Sequence, residues 1–104
     1  MVRRILGTRR YTIVEAEGAE QASTIVRTSH ERFDLVISDV VMAGSDGYAL
    51  AAQLLDSVGA MILISGYPVN PHKLLPEVRF VQKPFTAQEL RDCVAGALAL
   101  ETAR

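Results

Sequence analysis

Two uninterrupted apolar runs constrain this chain more than anything else in it. Leu35-Val36-Ile37-Ser38, four residues of little polarity, leads straight into Asp39, and Met61-Ile62-Leu63-Ile64 leads into Ser65-Gly66. A continuous apolar run closed by turn-forming residues reads as a strand buried on both faces, the kind found in parallel sheets; a half-solvated strand would alternate instead. Parallel sheets present their chemistry at the carboxyl ends of their strands. Asp39 occupies such an end. A carboxylate there can ligate a metal, act as a nucleophile or cap the next helix, and its position alone leaves the three open.

Helical and strand patterns alternate around these runs. Residues 2–8 place Val2, Ile5 and Leu6 on one face with no N-cap before them, and look like the tail of a helix. Tyr11-Thr12-Ile13-Val14 is β-branched and aromatic, so a strand is expected there. After a turn at Gly18, the spacing of Ala22, Ile25, Val26 and Ser29 predicts a helix to about Thr28. Leu50, Ala51, Leu54, Leu55 and Val58 form an amphipathic helical stripe, which Gly59 is expected to terminate. Pro68, Pro71 and Pro76 leave room for only a short or distorted helix over 67–78. Phe80-Val81 reads as a short strand ending in Lys83-Pro84. Thr86 and Glu89 have the spacing of a capping box, opening a last helix whose buried stripe is Leu90, Cys93, Val94, Ala97 and Leu98. This alternation implies right-handed crossovers and an α/β architecture, a doubly wound parallel sheet with helices on both faces.

The 104 residues suit a single domain spanning 1–104, long enough to bury roughly 60–70% of its unfolded surface. Eleven basic against twelve acidic residues leave a net charge of -1, which speaks against a dedicated nucleic-acid binder. One cysteine excludes an internal disulfide framework and a Cys-based zinc site; Cys93 reads as a small core residue. No apolar run approaches the roughly 20 residues of a membrane helix, so no membrane partner is expected. Arg3, Arg4, Arg9 and Arg10 lack the apolar stretch of a signal peptide and read as a solvated helix face. A cytoplasmic domain is the expectation.

If the strands are parallel, three carboxyl ends bring together Asp39, Ser65 and Lys83: a carboxylate, a hydroxyl and an ammonium at one edge of one sheet. A single anion-handling chemistry uses all three. A carboxylate oxygen attacks a phosphoryl group, while the hydroxyl and ammonium bind phosphoryl oxygens over which charge spreads during transfer. Taken singly, Ser65 is equally a turn residue and Lys83 a solvated lysine.

Three separated segments carry a specific resemblance. They are residues 34–47 (Asp-Leu-Val-Ile-Ser-Asp-Val-Val-Met-Ala-Gly-Ser-Asp-Gly), 62–67 (Ile-Leu-Ile-Ser-Gly-Tyr) and 80–85 (Phe-Val-Gln-Lys-Pro-Phe). In order and spacing they resemble the receiver domain of two-component response regulators along nearly the whole chain, and most of all receivers attached to hybrid sensor histidine kinases. The resemblance implies a flavodoxin-like (CheY-like) three-layer α/β/α fold. It also implies that Asp39 accepts a phosphoryl group from a histidine kinase or phosphotransfer protein. Ser65 would be the switch hydroxyl, Lys83 the counter-ion, and Phe80 the aromatic whose rotation couples to Ser65. Asp39 and the backbone carbonyl of Val41 would be Mg2+ ligands. The family usually has proline at Ala43 and often glycine at Arg10.

The main departure is at the front. Receivers begin with a strand ending in an acidic pair that holds the magnesium. Here the sequence starts at Met1, partway along the first helix, and no acidic residue precedes Glu15. The fold is therefore expected to lack its usual first, central strand and to be N-terminally truncated. Magnesium wants near-octahedral oxygen ligands, so phosphorylation is expected to be slow or undetectable. The missing strand would leave a gap of two strand spacings, ~10 Å, between 11–14 and 35–39. The strand at 11–14 could close it, a second chain could exchange a strand into it as a homodimer, or the fold could loosen.

Two other classes compete with a phosphorelay receiver. One is a phosphorylation-independent pseudo-receiver that acts as an interaction module, favoured by loss of the acidic pair. The other is an aspartyl phosphatase. Such enzymes place a second acid two residues after the first, where this chain has Val41, and no Gly-rich phosphate loop is present. An enzyme is not expected. His30 and His72 read as surface residues, and 67–78 with the last helix as the readout surface.

Overall fold

The computed structural model describes residues 2–7, 11–42 and 45–103. In chain order its elements are α1 (Val2–Leu6), α2 (Ala19–Thr28), β1 (Val36–Asp39), β2 (Val41–Met42), β3 (Ser45–Asp46), α3 (Gly47–Leu54), a 3-10 turn (Leu55–Ser57), β4 (Met61–Ser65), β5 (Val78–Gln82) and α4 (Ala87–Ala103). The two apolar runs pair with each other in parallel: Val36 lies opposite Met61 and Asp39 opposite Ile64. β5 pairs with the far side of β4, also in parallel, with Leu63 opposite Phe80 and Ser65 opposite Gln82. The sheet order is β1-β4-β5.

Alternation along the strands then divides the apolar residues between two layers. Met61, Leu63 and Val78 pack with Leu50, Ala51 and Leu54 of α3, and with Ala22 and Val26 of α2. Ile62 and Ile64 pack with Leu90, Val94 and Ala97 of α4, and with Val2, Ile5 and Leu6 of α1. Helices cover both faces of a parallel sheet, as a doubly wound α/β fold requires. β4, with strands on both edges and helices on both faces, is buried at every residue. The capping box is formed: the Glu89 N–H donates to Thr86 Oγ1 at 3.0 Å, and the Thr86 N–H to Glu89 Oε1 at 3.4 Å. Cys93 packs half-buried against the α4 layer; burial pushes its thiol pKa up, against the opposing pull of the nearby Arg79 guanidinium.

Several expectations need correction. Residues 11–16 form no strand. A strand is held by its ladder, and among the described residues no strand pairs with this β-branched run, so propensity alone does not make it one. Closure of the gap by 11–14 is therefore not what happens. β1 is only partly buried, not covered on both faces, because among the described residues no strand pairs with one of its edges. The α3 stripe ends in a 3-10 turn, and Gly59 is not a left-handed cap: Gly7 is the one described glycine at positive φ, and the Gly59 N–H donates to the Phe33 carbonyl instead. In α2 the buried polar residue is Ser23, while Ser29 is the exposed C-cap. The proline-rich segment forms turns without any helix. Arg9, Arg10 and Ala43 lie outside the described residues, as does the side chain of Arg3.

The open edge of β1 lines a groove of about 290 Å³, walled on the other side by Val14, Ala16, Gly18, Ala22 and Val26. Val36 and Val40 donate their N–H groups to Ala60 and Ile64 of the neighbouring strand side. Successive peptide groups point to opposite sides of a strand, so those of Ile37 and Asp39 turn toward the groove.

Candidate functional site

Register and chain direction deliver three functional groups to one edge of the sheet. Asp39 is the last residue of β1, Ser65 the last of β4, and Lys83 follows β5 directly. The Lys83 N–H donates to the Ser65 carbonyl at 2.7 Å, continuing the ladder one residue past the strands. From there the lysine side chain crosses to β1, and its Nζ lies 3.2 Å from Asp39 Oδ1. The Lys83-Pro84 peptide is cis.

Lys83 and Asp39 side chains are 46% and 56% exposed. A pair so open to water contributes roughly 0–1 kcal/mol to stability, so its geometry matters for chemistry more than for folding. Ser65 is buried, and its Oγ accepts the Tyr67 N–H at 3.0 Å. A hydroxyl keeps one donor besides its acceptor pairs. The sequence-predicted triple is thus brought to one edge, with the carboxylate and ammonium in direct contact. Phe80 sits half-buried on the same face of the sheet as Ser65, two register pairs below it. Val41 is exposed and opens a short antiparallel hairpin in which it lies opposite Asp46. His30 and His72 are exposed.

The return of the chain also shapes this edge. Asp46 caps α3, its Oδ1 accepting the Ala49 N–H at 2.7 Å. The Gly47 N–H donates to the Val40 carbonyl at 2.6 Å. A Cβ at Gly47 would overlap the Asp39 carbonyl and lie 2.9 Å from Val40 Cα. The helix start is pressed against the backbone that carries the carboxylate. Two residues the sequence did not single out complete the picture. Tyr48, next on α3, accepts the Asn70 N–H on its hydroxyl at 2.9 Å. The Asn-Pro step at Asn70-Pro71 is a turn signal, but nothing in the pattern of α3 pointed to Tyr48.

The model of the response regulator receiver domain family matches residues 1–95. The chain belongs to that family. Among solved structures, the receiver of an HD domain-containing protein from Pseudomonas fluorescens Pf-5 is 28% identical; the match covers 98% of this chain and 79% of that one at a TM-score of 0.85. The receiver of the hybrid histidine kinase CckA is 32% identical, covering 93% and 85% of the two chains at a TM-score of 0.77. The receiver of a signal transduction histidine kinase from Syntrophus aciditrophicus is 26% identical, covering 94% and 79% at a TM-score of 0.77. No curated protein matches the chain. Receivers are signalling modules of two-component systems that work with histidine kinases or phosphotransfer proteins, and the flavodoxin-like fold follows from the same likeness.

Receivers typically bind Mg2+. At this edge the Asp39 carboxylate is already paired with Lys83. Among the described residues no group of three or more His, Cys, Asp or Glu side chains could hold a metal. Near-octahedral magnesium coordination needs more anchoring oxygens than a single carboxylate, so the described residues do not fit a dedicated magnesium site. No described helix is long and apolar enough to cross a membrane.

Proposed function

We propose that this receiver is the phosphoacceptor of a two-component phosphorelay, with Asp39 as the accepting residue. The observation that carries the reading is the Lys83 ammonium 3.2 Å from the Asp39 carboxylate, beside a serine at the end of the neighbouring strand. One Asp39 oxygen attacks phosphorus, the bond from phosphorus to the donor histidine nitrogen breaks, and an acyl phosphate forms as the imidazole leaves with the electron pair. Lys83 offsets the charge that accumulates on the phosphoryl oxygens, and the Ser65 O–H donates to one of them. The new dianion beside Lys83 and Ser65 then changes the surface that a partner reads, with Phe80 packed on the Ser65 side of the sheet. Likeness to receivers of histidine kinases favours a hybrid kinase as the parent system, in the cytoplasm.

The test is the intact mass of the chain after incubation with acetyl phosphate and magnesium, beside Asp39→Asn. A single phosphoryl adduct is expected, forming slowly because the site offers one carboxylate, and absent from the variant. A folded chain that stays at its unmodified mass overturns the phosphoacceptor reading in favour of a phosphorylation-independent interaction module. The sparse donor set at Asp39 is what favours that second reading.

The open groove beside β1 supports a further part of the proposal: a strand supplied by a second copy fills it, since an unpaired edge templates strand addition. Size-exclusion chromatography with light scattering is expected to show a dimer at micromolar concentration. A compact monomer with well-dispersed amide resonances would sink strand exchange.

A further inference from the structure

Residues 66–77 join β4 to β5 without a helix, and their backbone is held at three places. At the start, the Tyr67 N–H donates to Ser65 Oγ. In the middle, the Asn70 N–H donates to the Tyr48 hydroxyl on α3. At the end, the Val78 N–H donates to the Leu75 carbonyl, and Leu74 and Leu75 pack into the α3 layer. The central anchor is the organising one. Asn70 also accepts the Lys73 and Leu74 N–H groups on its carbonyl, each at 3.1 Å, and the His72 N–H on its Oδ1 at 3.0 Å. A turn closed this tightly on one residue moves as a unit, and the Tyr48 hydroxyl is its polar tether to α3, beside the packing of Leu74.

We propose that Tyr48 is a positioning residue for the site edge. Its hydroxyl holds Asn70, and through the three-residue span 67–69 it holds the Tyr67 amide on the Ser65 hydroxyl. Two short tethers on one stretch of backbone reinforce each other, because ordering one end lowers the conformational entropy the other end must lose. The same span carries the exposed apolar side chains Tyr67 and Val69. The orientation of the Ser65 hydroxyl and the presentation of those two side chains are therefore one variable, set from α3. α3 begins at Gly47, bonded to Val40 immediately after Asp39, so both the carboxylate and the strap are referenced to the same helix end. Movement of Ser65 toward a phosphoryl group rests on the function proposed above; the linkage between the two tethers does not.

Coupling between two tethers must be reciprocal, which gives a test needing no phosphoryl group. Amide-proton exchange rates and temperature coefficients of Tyr67 and Asn70 are compared in the wild type, Tyr48→Phe and Ser65→Ala. Tyr48→Phe keeps the ring, and the amide of Leu63 in the buried strand serves as the control for global opening. The expected result is that Tyr48→Phe raises exchange about tenfold at Asn70 and severalfold at Tyr67. Ser65→Ala should raise it at Tyr67 and also at Asn70, with Leu63 unchanged in both. If each variant affects its own amide alone, the tethers are independent and the proposal fails, whatever the phosphorylation experiment shows. If exchange at Leu63 rises in step with the other two, Tyr48 acts on global stability and the proposal fails as well.

Discussion

Replacing Gly47 by alanine is expected to lower the stability of the domain by about 3 kcal/mol, at the upper end of what overpacking costs. The added methyl group would overlap the Asp39 carbonyl and approach Val40 Cα to 2.9 Å, and both are backbone. A crowded side chain can rotate away; a strand end held by the Val40 N–H to Ile64 carbonyl bond of 2.9 Å cannot. The helix start must therefore withdraw, breaking the Gly47 N–H to Val40 carbonyl bond, or the Asp39 peptide must tilt. The second response shifts the carboxylate beside Lys83, and the first removes the support of the backbone that carries it. Urea unfolding measures the cost, and the phosphoryl-adduct assay should fall together with it. Gly66→Ala is the control, since a Cβ there meets nothing within 4 Å, and its midpoint should stay within about 0.5 kcal/mol of wild type. Equal effects at the two glycines would refute the steric account.

The second large effect is expected in the sheet. Leu63→Ala should cost about 3–4 kcal/mol, and Val36→Ala about 1 kcal/mol. Leu63 is fully buried in the central strand, between β1 and β5 and beneath α3. Truncating it removes transfer free energy and leaves a cavity that two flanking strands and a helix prevent from collapsing. Val36 is half-buried on β1, whose outer edge opens on the groove, so less is lost and water can fill the space. Thermal or urea unfolding of the two variants checks the ratio. Comparable losses would mean that the β1 edge is covered in solution, as it would be in a strand-exchanged dimer.

Much of this architecture was legible in the residues. The runs ending at Asp39 and Ser65 identified two parallel strands because a strand covered on all sides cannot afford alternation, and β4 is such a strand. The Thr86–Glu89 box announced α4 through local hydrogen bonds, and local chemistry is what sequence states most directly. The triple of Asp39, Ser65 and Lys83 followed from chain direction once the strands were taken as parallel. Legibility failed where the outcome depended on a neighbour distant in sequence. Tyr11-Thr12-Ile13-Val14 has every intrinsic preference of a strand and is not one, for want of an adjoining ladder. Gly59 looks like a helix cap, yet its backbone is used by Phe33 across the fold. Tyr48 gave no signal because its partner, Asn70, is 22 positions away.

Sequence by itself thus determined the fold class, the family and the identity of the three groups at the sheet edge, since each rests on periodicity, turn chemistry or motif spacing within short stretches. Tertiary structure alone decided that Lys83 reaches Asp39, that Gly47 must lack a side chain, that Tyr48 tethers the strap and that residues 11–14 do not pair with β1. All four turn on which separated segments meet, and that depends on the packing of the whole domain, which no short stretch encodes.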